Sequence, residues 1–176
     1  MHIRSAVCRR NARPGLLHEY ADRLVAFEYS ATRHAKPHTL LFVGGLGDGL
    51  GTVEYLTDIV ATLEDTDWSV FAPVLSSSYG GWGTSELGRD IDEIALCVEY
   101  ILDHKRSLST DPDAVGSAPK IVIMGHSTGS QDVMQYISTA NPRAPSAQEP
   151  SRPPIVRPQV DGAILQAPVS DREAIQ

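Results

Sequence analysis

The ten residues KIVIMGHSTG, 120–129, decide how the rest of this chain is to be read. Lys120 is followed by four apolar side chains, Ile121, Val122, Ile123 and Met124, a run that suits a strand buried on both faces. The spacing then predicts a helix body over 131–137. Between the two lies Gly125-His126-Ser127-Thr128-Gly129. A GxSxG motif between a strand and a helix is the pattern of a strained turn that lifts a serine hydroxyl to the rim of a sheet. Its glycines are needed because a side chain on Gly125 or Gly129 would collide with the neighbouring helix or strand. Ser127 could instead cap the following helix, but capping does not call for glycine on both sides.

Working outward from this turn, strand and helix alternate. The spacing predicts strands over 24–29, 38–43 (HTLLFV) and 68–74, and a last one over 160–166. Val53, Leu56, Ile59, Val60 and Leu63 recur at helical spacing, and Ile91, Ile94, Ala95, Val98, Ile101 and Leu102 mark one face of a long helix with acids on the other. Residues 107–118 read as a linker. Residues 141–158 hold six of the twelve prolines and read as a surface insertion. The expected fold class is α/β, a doubly wound and mostly parallel sheet joined by right-handed crossovers. Residues 1–15 are expected to be a tail and 16–176 one domain.

Composition narrows the function. With 41% hydrophobic and 21% charged residues the chain is an ordinary globular domain, and its net charge of -7 gives no reason to expect nucleic acid or an anionic membrane as partner. Cys8 and Cys97 have neither CxxC nor Cys/His spacing, so no disulfide framework, metal site or cofactor is expected. No apolar run approaches the roughly 20 residues that span a bilayer. Arg4, Arg9, Arg10 and Arg13 precede the first acid, Glu19, which leaves a presequence conceivable, yet a solvated tail and a cytoplasmic protein are the expectation.

A serine on such a turn is a candidate nucleophile if a base and an oxyanion site accompany it. The amide of Thr128, at the positive end of the following helix, is one candidate oxyanion donor. The second is expected after the 38–43 strand, in Gly44-Gly45-Leu46-Gly47-Asp48-Gly49-Leu50-Gly51, where the register favours the Leu46 amide. A phosphate-binding loop fails there on spacing, since neither GxGxxG nor GxxxxGK[ST] fits residues 44–52. A merely structural glycine turn is the remaining alternative, and Asp48 is expected to fix the loop or cap the next helix. His126 is expected to be a packed or hydrogen-bonded neighbour of Ser127 and not its base.

Five segments, DRLVAFEY, TLLFVGGLGDGL, SSSYGGWGTSELGRD, IVIMGHSTGSQDVM and DGAILQAPVSDREA, resemble the fungal α/β-hydrolase family that includes the fusarinine C siderophore esterase. The resemblance runs from about Leu16 onward, interrupted by the proline-rich insertion. It implies an α/β-hydrolase-type fold and a serine hydrolase acting on ester bonds of a small molecule, of which a hydroxamate siderophore is one. It also implies Ser127 as nucleophile, Leu46 and Thr128 as oxyanion donors, and Tyr79 and Trp82 in a loop near the site, where packing onto the loop itself is the competing role.

The chain also departs from that family. The fold orders its triad as nucleophile, acid, histidine, yet all six histidines, His2, His18, His34, His38, His104 and His126, precede Ser127. The sheet is therefore expected to be incomplete at its C-terminal end, with the general base absent and Asp171 as a candidate acid or helix cap. A last strand left as an open edge would invite sheet-edge association. Two functions remain: an esterase that needs further chain, or a non-catalytic hydrolase remnant that binds a ligand or protein. Within the enzyme class, a lipase, thioesterase or other acyltransferase fits the same motif.

Overall fold

The computed structural model describes residues 13–29, 36–108, 118–144 and 154–169. Six strands form one sheet: β1 (Gly15–Ala21), β2 (Leu24–Tyr29), β3 (His38–Val43), β4 (Trp68–Val74), β5 (Ile121–His126) and β6 (Gly162–Gln166), in spatial order β1-β2-β4-β3-β5-β6. The pairs β4·β3, β3·β5 and β5·β6 are parallel, whereas β1·β2 and β2·β4 are antiparallel. The helices are α1 (Leu56–Thr62), α2 (Leu87–Leu108) and α3 (Gly129–Ser138).

The strands β3 and β5 carry apolar runs, Leu40 to Val43 and Ile121 to Met124, because both their faces are covered. Leu41, Val43, Phe71, Ile121 and Ile123 point to one side, against Ile91, Ile94, Val98 and Ile101 of α2 and Val133 of α3. Leu40, Phe42, Val70, Ala72 and Met124 alternate to the other side and meet Val53 and Leu56. The period of two along each strand thus feeds two cores.

β1 is absent from the sequence expectation, which assigned the tail to 1–15 and nothing to 16–23. Its alternation is inverted: Leu16 and Leu17 are exposed, while the inward residues are the polar-tipped His18 and Tyr20. A hydropathy pattern has nothing to find there. α1 is also shorter than the 53–63 periodicity, because Gly51 has φ 78° and residues 50–52 and 54–55 are held in turns.

The acids of α2 need a correction. They were expected on the face opposite the apolar stripe, yet Asp90, Asp92 and Glu93 are buried. Partners account for them. Glu93 accepts from the Ser76 amide (2.7 Å) and hydroxyl (2.6 Å) and from Arg89 (3.1 Å); Arg143 reaches Asp92 at 3.4 Å. Buried charge is tolerable only when it is bonded in this way.

Cys97 is buried in the core; Cys8 lies outside the described residues, as do Asp171, His2 and His34. Of the proline-rich segment, 141–144 and 154–158 are described, without helix or strand, and Asn141 ties their ends by exchanging two hydrogen bonds with the Arg157 backbone. Among the described residues, β6 pairs on one side only, and no helix is long and apolar enough to cross a membrane.

Candidate active site

β5 delivers its last residue, His126, to the carboxyl edge of the parallel strands, and α3 opens three residues later at Gly129. Ser127 sits in the bend with φ 53°, the left-handed region, which costs a non-glycine residue about 1–2 kcal/mol. Neighbouring bonds hold it there. The Ser127 amide donates to the Gln166 carbonyl of β6 (3.0 Å), its carbonyl accepts from the Ser130 amide (3.1 Å), and the buried Ser130 hydroxyl donates to the Gly125 carbonyl (2.9 Å).

The flanking glycines are steric requirements. A Cβ on Gly125 would lie 2.4 Å from the Gly129 carbonyl oxygen, and one on Gly129 would lie 2.3 Å from that of Gly44. The glycine loop after β3 is pressed against the serine: a Cβ on Gly45 would lie 2.9 Å from Ser127 Cβ. Asp48 fixes this loop, accepting from the Gly45 amide (2.8 Å) and the Thr52 hydroxyl (2.8 Å). Tyr79 packs onto it as well. Its ring occupies the space a Gly49 side chain would need, and its hydroxyl accepts from the Leu50 amide at 2.7 Å. Asp48→Ala is expected to lower stability by about 1.5 kcal/mol, read as a shift of the denaturant midpoint, because the Gly45 amide loses a charge-assisted bond.

A cavity of about 330 Å³ opens beside the turn. Leu46 and Thr128 both line it, and among the described residues neither amide has a hydrogen-bond acceptor. Trp82 lines it too, whereas Tyr79 is not part of its wall. The apolar wall includes Phe42, Leu56 and Leu75; the polar part includes Asp90 and Asp132.

The described histidines lie elsewhere. Gln166 Oε1 accepts from Tyr55 (3.1 Å) and lies in hydrogen-bond contact with His126 Nδ1, whose ring is flanked by Phe42 and Tyr55. His38 Nδ1 accepts from the Lys120 amide at the amino end of β3. His18 and His104 meet edge to face near Glu28.

Sequence reasoning passed over Ser130, Gln166, Asp90 and Asp132. For Asp132 a signal existed: Gly129, Asp132, Val133 and Tyr136 share the i, i+3, i+4, i+7 stripe that α3 buries. A carboxylate in such a stripe faces inward.

A mixed sheet with parallel central strands and a left-handed serine at the β5–α3 turn, faced by a glycine loop, defines the α/β-hydrolase fold. The chain belongs to the family described as "Protein of unknown function (DUF1749)", whose model matches residues 7–176. It is 65% identical over 170 residues to Esterase AN6793 of Emericella nidulans, covering 93% of this chain and 44% of that protein. It is 52% identical over 164 residues to the fusarinine C esterase sidJ of Aspergillus fumigatus, covering 93% and 46%. Among solved structures it is similar to the siderophore hydrolase EstB from Aspergillus fumigatus, with TM-score 0.80, 49% identity, and coverage of 96% of this chain and 46% of that one. The chain thus spans less than half the length of these relatives. An esterase from Thermogutta terrifontis, at 16% identity and TM-score 0.60, shares the fold.

Proposed function

We propose that this chain carries the nucleophile and the oxyanion site of a serine carboxylic-ester hydrolase. The observation that supports it most is the φ of 53° at Ser127, on a turn against which the glycine loop is pressed. Strain at a non-glycine residue persists only where its surroundings enforce it, and here two glycines, Ser130 and Gln166 do so.

In the proposed reaction Ser127 Oγ attacks the ester carbonyl carbon while a general base takes the hydroxyl proton. The tetrahedral oxyanion is held by the Leu46 and Thr128 amides, each contributing about 3 kcal/mol. Collapse breaks the bond to the alcohol oxygen, which leaves with that proton. Water then attacks the acyl-enzyme, gives a proton to the base, and releases the acid and free Ser127. Among the described residues no histidine is hydrogen-bonded to Ser127, so none of the described histidines is assigned as the base. Asp171 is the candidate acid. The substrate is a small-molecule ester; the names of the relatives favour a siderophore ester, with Trp82 on the pocket wall and Tyr79 holding the loop.

A fluorophosphonate at alkaline pH, where hydroxide substitutes for the base, tests the reading. One label per chain on the peptide bearing Ser127, absent in Ser127→Ala, is expected. A folded chain that stays unlabelled, or is labelled elsewhere, would overturn it.

A further inference from the structure

Two histidines and a glutamate from three separate elements converge at the β1 edge of the sheet: His18 of β1, Glu28 of β2 and His104 near the end of α2. One atom of metal-ligand type from each lies within 4.8 Å of the other two. His18 Nε2 and Glu28 Oε2 are 3.3 Å apart, and the two imidazole rings have centroids 4.9 Å apart. Two ligands held about 2.1 Å from a tetrahedral zinc ion lie about 3.4 Å from each other, so the histidine and carboxylate already have the spacing such an ion requires. We propose that His18, Glu28 and His104 form a binding site for a divalent transition-metal ion of the zinc type.

The surroundings support an ion there. A metal-ligating histidine needs its other ring nitrogen fixed, and His18 Nδ1 lies 2.9 Å from the Tyr100 hydroxyl. With the ion bound, Nδ1–H donates to that oxygen and the Nε2 lone pair faces the metal. A ligating carboxylate is in turn held by its second oxygen, and Glu28 Oε1 accepts from Lys105 Nζ at 2.7 Å. Against the upward push of burial, Lys105 keeps Glu28 ionised. Burial, and after it the charge of His18, hold the His104 imidazole below its usual range, which leaves its lone pair free in neutral solution. His18 and Glu28 are buried, but His104 is partly exposed, and an ion reaches the set past its ring from solvent. Two nitrogens and one carboxylate suit zinc and its neighbours, with a fourth position left for water, whereas calcium and magnesium ask for more oxygen. The ion would pin β1, the edge strand among the described residues, to α2. No local spacing in the sequence announces the set, because its members come from three elements.

The site is independent of the Ser127 reading. Zn²⁺ alone is titrated into the metal-free chain by calorimetry, and denaturant midpoints are measured with and without it. One ion per chain and a raised midpoint are expected, and Mg²⁺ should give neither. His104→Ala removes a ligand and should weaken binding by about 100-fold; Tyr100→Phe keeps every ligand but frees His18 Nδ1, and should weaken it by about tenfold. A tyrosine hydroxyl that served the fold alone would leave zinc affinity unchanged. The ammonium of Lys105 opposes a second cation, so Lys105→Met, which also strands the Glu28 charge, should have its midpoint raised by Zn²⁺ more than the parent does. His38→Ala, at the amino end of β3, should bind as the parent binds. Absence of Zn²⁺ binding to the parent, binding unaltered by both His104→Ala and Tyr100→Phe, or binding lost in His38→Ala would overturn the site.

Discussion

Gly129→Ala is expected to destabilise the protein by about 3 kcal/mol, at the upper end of what one added methyl costs a packed interior. The added carbon would meet the carbonyl oxygens of Gly44 at 2.3 Å and Val43 at 2.6 Å. Those atoms belong to backbone at the end of β3, which is hydrogen-bonded into the sheet between β4 and β5, so the strand cannot step aside as a side chain would. Helix α3 must move outward instead. That motion drags Ser127 and Ser130 off the bonds that enforce the bend, and phosphonate labelling should fall with stability. A control distinguishes sterics from helix propensity: alanine is the better helix former by about 1 kcal/mol, so a position limited by propensity would gain from the change. Chemical denaturation read by circular dichroism measures the difference, and a variant as stable as the parent would show that the close approach at β3 is not a constraint.

That prediction shows which parts of the site were legible from the residues. The turn was, because a sharp strand-to-helix bend of this kind fixes glycine, serine and glycine at set positions in the sequence, and the two flanking glycines report close approaches found in three dimensions. The strands 24–29, 38–43 and 68–74 coincide with β2, β3 and β4, because covered sheet faces demand strands rich in apolar residues. β1 was not legible. Its inward residues are His18 and Tyr20, which hydropathy scores as polar although they are buried.

The carboxylates were missed by a different route. Charged residues on an amphipathic helix are read by default as its solvated face, and that rule failed for Asp90, Asp92 and Glu93 of α2 and Asp132 of α3. For Glu93 and Asp92 burial depends on donors from distant segments: Ser76 lies 17 residues before Glu93, and Arg143 lies 51 after Asp92. Local pattern carries no information about such pairs. Only the stripe position of a residue hints that it faces inward, and the partner that makes this tolerable appears only once the chain is folded.

The buried ion pair at the opposite edge of the sheet leads to the second large effect, Lys105→Met. Lys105 Nζ donates to Glu28 Oε1 at 2.7 Å, with the two residues 5% and 6% exposed, and the ammonium lies 5.1 Å from the centre of the Phe71 ring. Methionine keeps most of the stem's packing and removes the charge, leaving the Glu28 carboxylate among His18, Tyr100 and Phe71. An orphaned buried charge of this kind costs about 3–5 kcal/mol. The pH dependence carries the sign. In the parent, burial pushes the Glu28 carboxyl upward, but the bond and charge of Lys105, with help from Ser69 and His18, outweigh it and hold Glu28 below its ordinary value. A depressed carboxyl contributes stability above its unfolded value and loses it as pH falls through the folded one. Without Lys105 the largest lowering influences vanish, burial dominates, and the folded carboxyl lies above its unfolded value. The variant should therefore gain stability as pH drops from neutral toward the ordinary carboxylate range, where the parent does not. Glu28→Gln in the Lys105→Met background should recover most of the loss, because a neutral amide asks for no counter-charge. Denaturation midpoints measured across that pH range check both statements; a variant whose deficit is the same at every pH would show that lost packing around Phe71, and not the stranded carboxylate, sets the cost.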